Sequence, residues 1–383
     1  YTKIVKINYT FNMDSEEAES KLNQKILLGP GPSNVPCRIL NALSQSCMSH
    51  LDPDFFKTLD EIRENLKILF KTDNENTFAI SGTGSAGMEA SFANLIENKD
   101  RVIIFVSGLF GERMADVAGR YDAEVVVVKK DWGESFTFEE MKEVIDNEEN
   151  IKIVSIVHAE TSTGAKQDIK QLGEFLKLSN IIFVVDSVTS FTGLDLDVDS
   201  WGIDVCYSGS QKCLNVPPGL SPITFSDKAM AKIKNRKDKV KSWYLDLNLL
   251  QNYHSKNRIY HHTAPVNMLF ALNEGLKICL EEGLETRINR HQEVSVYFSS
   301  KLANSPFEYF VKNKKNILPM LKTIKLPNHI SDNKRTLLLK DESLEIGGGL
   351  GDTKGKVWRV GLMGCNATNE NVDIFFNTLE KYI

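Results

Sequence analysis

The sequence predicts an α/β fold whose large domain contains a mostly parallel, seven-stranded sheet. Short apolar runs alternate with amphipathic stretches of helical period, and strands that are apolar on both faces are typical of a sheet covered by helices on both sides. Polar residues and glycines follow many of these runs, at the strand ends where α/β folds place their chemistry. The seven strands are predicted at residues 77–81, 102–107, 124–129, 151–158, 181–186, 203–207 and 222–226.

The helices are predicted from apolar residues that recur at intervals of three and four. The first predicted helix, residues 44–72, shows this pattern at Phe55, Leu59, Ile62, Leu66 and Leu69. Other helices fit between the strands or close the large domain, at residues 86–97, 113–121, 137–147, 169–179 and 266–281. Strands that alternate with helices are typical of parallel strands joined by crossover connections.

Three segments are predicted along the chain. Residues 1–25 form a polar N-terminal arm, residues 26–280 a large cofactor-binding domain, and residues 281–383 a smaller C-terminal α+β domain. In the small domain we predict helices, strands and a glycine-rich turn at residues 284–303, 323–326, 347–351, 357–361 and 370–382.

Composition excludes several classes of protein. Of 383 residues, 42% are hydrophobic and 25% are charged, which is ordinary for a globular protein with a large core. The net charge of −5 argues against a nucleic-acid partner, because phosphate contacts require a basic surface. A lysine-rich stretch, residues 228–241, follows Asp227 and is interrupted by Asp238. It is interpreted as a solvated helix face or loop rim, with a partner-binding patch as the less favoured interpretation. No apolar run is long enough to span a membrane, and the six scattered cysteines show no metal-ligand spacing, so we expect neither membrane nor metal.

Two ionisable residues at the ends of neighbouring predicted strands carry the functional argument. Asp186 ends the strand 181–186, and Lys212 follows the strand 203–207. Alone, each would be an ordinary cap or a solvated side chain. Together they match the two groups that pyridoxal phosphate enzymes require, a Schiff-base lysine and a carboxylate that keeps a pyridine nitrogen protonated. The loop 27–36 contains three prolines and two glycines, which exclude helix and strand, and we expect it to form a wall of the site.

A glycine motif after the first predicted strand allows two interpretations. Residues 82–87 fit G-x-G-x-x-G, the fingerprint of dinucleotide-binding folds, and alone would suggest an NAD-binding oxidoreductase. That fingerprint also requires an acidic residue after the next strand, but this strand ends in Phe105, Val106, Ser107 and Gly108. The same glycines can hold a single phosphate at the N-terminus of a helix, and this interpretation agrees with the lysine and the aspartate downstream.

These motifs together resemble one family, the class V aminotransferases. The resemblance runs in order through six motifs, Leu28-Gly29-Pro30-Gly31-Pro32-Ser33, Ser81-Gly82-Thr83-Gly84, His158-Ala159-Glu160-Thr161-Ser162-Thr163-Gly164, Val185-Asp186-Ser187-Val188, Tyr207-Ser208-Gly209-Ser210-Gln211-Lys212 and Tyr260-His261-His262-Thr263, and ends at Arg359-Val360-Gly361. Within the family it is most similar to the alanine–glyoxylate and serine–pyruvate aminotransferases. The resemblance implies the fold type I of PLP-dependent transferases, the cofactor pyridoxal 5'-phosphate, and a homodimer with shared active sites. It also implies transfer of an amino group from L-alanine or L-serine to glyoxylate or pyruvate.

The resemblance assigns a role to each site residue. Lys212 would carry the cofactor and move the proton of the substrate, and Asp186 would pair with the pyridine nitrogen. Phe110 would stack on the ring. The remaining contacts to the cofactor would come from Thr83, Gly84, Ser85, Thr161, Val188 and Gln211, and from Tyr260 and Thr263 of the neighbouring subunit. Arg359 would grip the substrate carboxylate with its planar guanidinium, beside Gly31.

Two departures from the family pattern bear on the substrate. Phe110 and Ser85 stand where alanine–glyoxylate enzymes usually have tryptophan and often histidine, so kynurenine or 3-hydroxykynurenine transamination is an alternative. Cysteine desulfurase chemistry is disfavoured, because Gln211 precedes the lysine and residues 329–355 contain no cysteine. An NAD-binding oxidoreductase and a catalytically silent dimeric binding protein are the alternatives from other classes. The resemblance also suggests glyoxylate detoxification in a peroxisome or mitochondrion.

Overall fold

The computed structural model describes residues 25–382, so the predicted arm lies outside the described residues except for Lys25. Within this range, no helix is long and apolar enough to cross a membrane. The strands are β1 (Ile26–Leu27), β2 (Asn76–Ser81), β3 (Arg101–Val106), β4 (Glu124–Lys129), β5 (Ile151–Val157), β6 (Ala159–Glu160), β7 (Ala165–Lys166), β8 (Ile182–Asp186), β9 (Val205–Tyr207), β10 (Leu220–Phe225), β11 (Glu308–Tyr309), β12 (Leu321–Lys325), β13 (Leu344–Glu345), β14 (Gly347–Gly348) and β15 (Val357–Gly361). The helices are α1 (Cys37–Leu43), α2 (Pro53–Phe70), α3 (Gly84–Leu95), α4 (Leu109–Arg120), α5 (Phe138–Asn147), α6 (Lys170–Leu176), α7 (Asp227–Lys234), α8 (Leu247–His254), α9 (Val266–Glu282), α10 (Leu284–Leu302), α11 (Lys334–Asp341) and α12 (Asn369–Leu379).

All seven predicted strands lie in one sheet, which confirms the predicted fold class. The strand order is β2-β10-β9-β8-β5-β3-β4. Strand β10 is antiparallel to both of its neighbours, and the other pairs in the sheet are parallel. In the pair β8–β9, Asp186 lies opposite Tyr207. The carboxyl ends of the strands that lead to Asp186 and Lys212 therefore meet at one edge of the sheet.

Helices bury apolar side chains against both faces of this sheet. On one face, Phe55, Leu59 and Leu66 of α2 pack against α9 and the sheet, and on the other face α3 and α4 contribute Phe92 and Met114. Helix α2 begins at Pro53 and not at residue 44 as predicted. The Asp52 side chain accepts a hydrogen bond from the Asp54 N–H and proline occupies the first helical position, so a capping signal overrode the apolar period.

The C-terminal part is a smaller α+β unit. Its antiparallel sheet has the order β11-β12-β15-β14, and α10 and α12 pack against it around Phe298, Trp358 and Phe375. Strand β1 pairs with β13 of this unit, and Leu28 is buried in its core. The first described residues therefore pack in the small unit, whereas the sequence prediction placed residues 26–280 in the large domain.

The lysine-rich stretch 228–241 lies on the surface of the large domain, where several of its cations have partners in the same chain. Lys228 pairs with Asp204 at 2.7 Å and Lys232 pairs with Asp100 at 2.8 Å. Local acidic residues thus neutralise part of the positive charge.

Candidate active site

A cavity of about 140 Å³ lies at the carboxyl edge of the large sheet. It is bounded by strand ends and by the N-termini of α3 and α4, as expected for a site in a parallel sheet. Nine of the residues that the sequence singled out line it, namely Thr83, Gly84, Ser85, Phe110, Thr161, Asp186, Val188, Gln211 and Lys212. The structure therefore brings the predicted lysine and aspartate into one compartment.

Lys212 is a buried amine with one hydrogen-bond acceptor. Only 8% of the residue is exposed, and its Nζ donates to the carbonyl oxygen of Pro30. Burial, and then the nearby guanidinium of Arg359, lower the pKa of Lys212 to about 8. A lowered pKa increases the fraction of neutral amine near neutral pH, and the neutral amine is the form that attacks a carbonyl or accepts a proton.

The loop 27–36 lies against Lys212, although none of its residues lines the cavity itself. Gly31 has φ of +102°, and a Cβ at this position would lie 2.7 Å from Lys212 Nζ. The Ser33 hydroxyl donates to the carbonyl oxygen of Lys212 at 2.8 Å. Glycine is therefore required at position 31 by its backbone conformation and by the closeness of the lysine.

Asp186 is buried with two hydrogen-bond donors on its carboxylate. The backbone N–H of Val188 donates to Oδ1 at 2.9 Å, and the hydroxyl of Tyr207 donates to Oδ2 at 3.0 Å. Burial raises the pKa of Asp186 to about 7, against the opposing effect of these donors and of Lys212. A cationic ring nitrogen facing this carboxyl group would favour its charged form.

The role of Tyr207 was missed by sequence reasoning. This tyrosine is fully buried at the end of β9, and its aromatic ring is part of the apolar core. Its register opposite Asp186 explains why its hydroxyl meets the carboxylate. The sequence signal was a tyrosine in the last position of a buried strand, where a hydroxyl needs a partner.

The opposite end of the cavity can receive an anion. Helix α3 starts at Gly84, and the side chain of its N-cap residue Thr83 makes no capping hydrogen bond, so N–H groups of the first turn can bind a ligand. The buried Oε1 atom of Gln211 has no hydrogen-bond partner among the described residues. A Cβ at Gly84 would lie 2.7 Å from a methyl group of Val188. The N–H groups at this helix N-terminus fit the phosphate of pyridoxal phosphate, with the lysine and the aspartate placed for its ring.

A buried glutamate, whose role sequence reasoning also missed, holds the first turn of the helix that carries Phe110. Glu160 accepts hydrogen bonds from the N–H groups of Phe110 and Gly111, in the first turn of α4, and from the N–H and hydroxyl of Ser162. It is 1% exposed, and burial raises its pKa. Glu160 thereby connects the helix that carries Phe110 to the loop that carries Thr161. An acidic residue directly after a buried strand was the available signal.

Arg359 lies on β15 of the small unit and faces the same site. Its Nε donates to the Gly348 carbonyl at 2.8 Å and its Nη1 donates to the Thr161 carbonyl at 3.1 Å. Its Nη2 has no hydrogen bond to a described residue. Burial lowers the pKa of Arg359 to about 10, so the group stays cationic at neutral pH. The two backbone contacts fix the guanidinium plane and leave donors for a substrate carboxylate.

Tyr260 and Thr263 do not line this cavity within the same chain. Both are exposed, and the Tyr260 ring lies 5.4 Å from the ring of His50. The next residue but one, His262, approaches the Ser81 hydroxyl at 3.3 Å, just before the glycine motif. A contribution of Tyr260 and Thr263 to a neighbouring subunit stays a prediction.

Cys213, next to the lysine, is buried in surroundings that disfavour redox chemistry. Burial raises the pKa of its thiol to about 12, and its Sγ contacts the carbonyl oxygen of Thr189. A protonated, 1% exposed thiol is a poor nucleophile.

The chain is similar to known proteins over nearly its whole length. The family model described as Aminotransferase class-V matches residues 34–375. An alanine–glyoxylate aminotransferase of Felis catus is 40% identical over 361 residues, which cover 93% of this chain and 87% of the relative. An (S)-ureidoglycine–glyoxylate transaminase of Bacillus subtilis is 35% identical and covers 94% of this chain and 90% of the relative. The crystal structure of an alanine–glyoxylate aminotransferase from Nostoc sp. superposes with a TM-score of 0.91 at 44% identity and covers 94% of this chain and 96% of the other.

Proposed function

Because the chain belongs to the aminotransferase class-V family, we propose that it moves an amino group from L-alanine or L-serine to glyoxylate or pyruvate. It is a pyridoxal phosphate-dependent transaminase. The names of all three relatives compared above include glyoxylate, which supports glyoxylate as the acceptor. Conversion of glyoxylate to glycine would detoxify it. Residence in a peroxisome or mitochondrion stays an expectation from the family resemblance.

The observation that carries this proposal is the position of three groups around one cavity. Asp186 and Lys212 line it, and the guanidinium of Arg359 is close enough to lower the pKa of the lysine. The same cavity has a helix N-terminus at Gly84 for the phosphate. A binding protein would need neither a buried amine of lowered pKa nor a buried carboxyl group of raised pKa.

The protein residues divide the chemistry among them. Bound pyridoxal phosphate supplies an electron sink for the charge left at the substrate Cα when its proton leaves. Lys212 Nζ removes that proton, for which its pKa of about 8 is well matched. Asp186 holds the proton at the ring nitrogen, and Tyr207 holds Asp186 in place. Preorganised charges of this kind stabilise a transition state without reorganisation.

Arg359 selects both the substrate and the bond that breaks. Its guanidinium is fixed by the carbonyl oxygens of Gly348 and Thr161, so a carboxylate bound to its remaining donors has one orientation. A carboxylate fixed in this way would present the substrate Cα–H bond to the amine of Lys212. Proton removal is then favoured over decarboxylation.

The relatives favour a small amino donor. Those from Felis catus and Nostoc sp. are both named alanine–glyoxylate aminotransferases. With glyoxylate as acceptor, we expect kcat/KM for alanine or serine to exceed that for kynurenine at least tenfold. The measurement is glycine formation by the purified enzyme with each donor in turn. Faster turnover of kynurenine or 3-hydroxykynurenine would establish the alternative, and no transfer from either small donor would refute the proposal.

The structure also supports a homodimer with shared sites. Trp243, Tyr244, Ile259 and Tyr260 are 41–61% exposed, which is unusual for such large apolar side chains. Ring contacts join Trp243 to His261 and Tyr244 to His262, and Ile259 and Tyr260 directly precede these two histidines in the chain, so the four form one cluster. The contact between His262 and Ser81 connects this cluster to the loop in front of α3. A second copy covering the cluster would bring Tyr260 and Thr263 of each subunit toward the phosphate site of the other.

Mixed subunits test the shared site. The variants Lys212→Ala and Tyr260→Ala would each form impaired homodimers. When both are co-expressed, a hybrid dimer would contain one site with an unaltered lysine from one subunit and an unaltered tyrosine from the other. We expect transaminase activity above the sum of the two homodimers, and a dimeric mass by analytical ultracentrifugation. Activity no greater than that sum would mean that Tyr260 acts within its own subunit or not at all.

A further inference from the structure

A second cavity, about 650 Å³ in volume, lies in the small unit away from the cofactor site. We call it the Lys322 cavity, and it shares no lining residue with the active-site cavity. It lies between α10, β11, β12 and the segment that leads into β12. The mechanism above uses none of its residues.

A fully buried lysine forms the polar centre of this cavity. Lys322, on β12, is 0% exposed. Its Nζ donates to the hydroxyl of Ser295, on α10, and to the carbonyl oxygen of Leu318 at 2.9 Å, and it lies 5.9 Å from the centre of the Tyr309 ring. Within residues 25–382, no carboxylate lies within ion-pair distance of this amine. A buried ammonium without a counterion is costly, and an anionic ligand would supply the missing charge.

The rim of the Lys322 cavity is strongly cationic. Its lining contains six lysines and one acidic residue, Glu308, in a chain whose net charge is −5. Glu308 lies 3.9 Å from Lys325, and Lys312 is paired with Glu134 of the large domain. The other rim lysines, at positions 166, 314 and 315, have no ion-pair partner in the described part of the chain. The surrounding field therefore attracts anions.

The floor of the cavity is apolar. Leu302, Phe307 and Val311 line it and are each at most 4% exposed. A ligand that filled this space would therefore need an apolar body as well as a negative charge.

We propose that the Lys322 cavity binds a small organic anion, with its carboxylate or phosphate group at Ser295 and Lys322 and its apolar body on the floor. The Ser295 hydroxyl accepts from the lysine and can donate its own proton to a ligand oxygen. Such a chain of hydrogen bonds is strengthened by the positive charge behind it. The apolar body would pack against Phe307 and its neighbours.

Proton uptake gives this site a distinctive signature. Burial lowers the pKa of Lys322 to about 7, so most of the amine is neutral at pH 8. A bound anion favours the ammonium form, so binding at pH 8 requires a proton from solution, whereas at pH 6 the proton is already present. The groups that face the amine are Ser295, Tyr309 and the Leu318 carbonyl, and the charged groups farther out are the five rim lysines and Glu308.

Calorimetric titration of the cofactor-loaded enzyme with octanoate tests the proposal. We expect saturable binding. The heats measured in two buffers of different ionisation enthalpy should show that nearly one proton is taken up per octanoate bound at pH 8, and much less at pH 6. Neither 1-octanol, which has no charge, nor inorganic phosphate, which has no apolar body, should bind as tightly. Hexyl phosphate in place of octanoate would show which head group the site prefers.

Two variants locate the binding. Lys322→Met should weaken octanoate binding at least tenfold and abolish proton uptake, and Ser295→Ala should weaken it severalfold while leaving the fold intact. Lys170→Met makes the same substitution at an exposed lysine outside the cavity and should leave binding unaltered. The proposal is overturned if octanoate does not bind, if it binds at pH 8 without proton uptake, or if both cavity variants bind it as the wild type does.

Discussion

Lys212→Ala is expected to abolish transamination and the visible absorbance band of the cofactor-loaded protein. In the proposed mechanism the buried amine both carries the cofactor and moves the proton of the substrate, and losing a positioned base alone lowers a rate by about 10²–10⁴-fold. With both roles lost, we expect turnover to fall by at least about 10⁴-fold. The measurements are kcat with alanine and glyoxylate, and the absorbance spectrum before and after alanine is added.

The interpretation of this result depends on the fold staying intact. Lys170→Ala, at an exposed position on α6, should retain the spectrum and the turnover of the wild type. The Lys212 variant should melt as a cooperative fold, because Lys212 belongs to neither of the apolar clusters that form the core of the large domain. A Lys212→Ala protein that is active and still absorbs in the visible range would disprove the assignment of the site.

Asp186→Asn is expected to reduce turnover and, in the cofactor-free protein, to raise stability. Loss of one preorganised charge contact is worth about 3 kcal/mol in the transition state, which is a fall in kcat of about 10²-fold or more. Burial raises the pKa of Asp186 from 3.8 to about 7, so the folded protein binds this proton more tightly than the unfolded chain. The associated stability is fully present below the unfolded pKa and is lost as the pH rises through about 7.

Above pH 7 the wild type therefore holds a costly buried carboxylate that asparagine lacks. In denaturant titrations at pH 8 we expect the free energy of unfolding of the cofactor-free Asn variant to exceed that of the wild type by a few kcal/mol, as the size of the pKa shift of Asp186 implies. The gain should shrink as the pH is lowered below 7. Equal stability of the two proteins at pH 8, or normal turnover of the variant, would count against this account of Asp186.

Tyr207→Phe provides a graded control for the same carboxylate. It keeps the buried ring and removes only the hydroxyl that donates to Asp186 Oδ2. A hydrogen bond to a charged group is worth about 1.5–3 kcal/mol. Turnover should fall less than in the Asn variant, and its pH profile should move upward because the donor that lowers the pKa of Asp186 is gone. A purely structural role for Tyr207 would leave that profile in place.

The sheet was predictable because its strands are short and apolar on both faces. The pattern located all seven strands, and since parallel strands share one chemical edge, it also brought Asp186 and Lys212 together. Local signals of another kind were missed. Capping by Asp52 moved the start of α2, and β1 and β13 are two-residue strands whose pairing depends on tertiary contacts.

The supporting residues of the site were harder to predict than the reacting ones. Tyr207 and Glu160 act through hydrogen bonds to groups that are distant in sequence, and nothing in their local pattern names those partners. The proposed contribution of Tyr260 to a neighbouring subunit depends on an assembly, and within its own chain Tyr260 does not line the cavity. Lys322 was not singled out, because a lysine in a strand of mixed polar and apolar sequence gives no sign of the cavity beside it.

The segment from β1 to Ser33 connects the small unit to the large one beside Lys212. Strand β1 is hydrogen-bonded to β13 in the small unit, while Ser33, only six residues later, is anchored to the backbone at Lys212 in the large one. Six residues span at most about 20 Å, so the connection between the two anchors is short. A movement of the small unit relative to the large one would displace Pro30, whose carbonyl oxygen accepts a hydrogen bond from the lysine amine. The position of the small unit would therefore affect the position of Lys212 Nζ in the large unit.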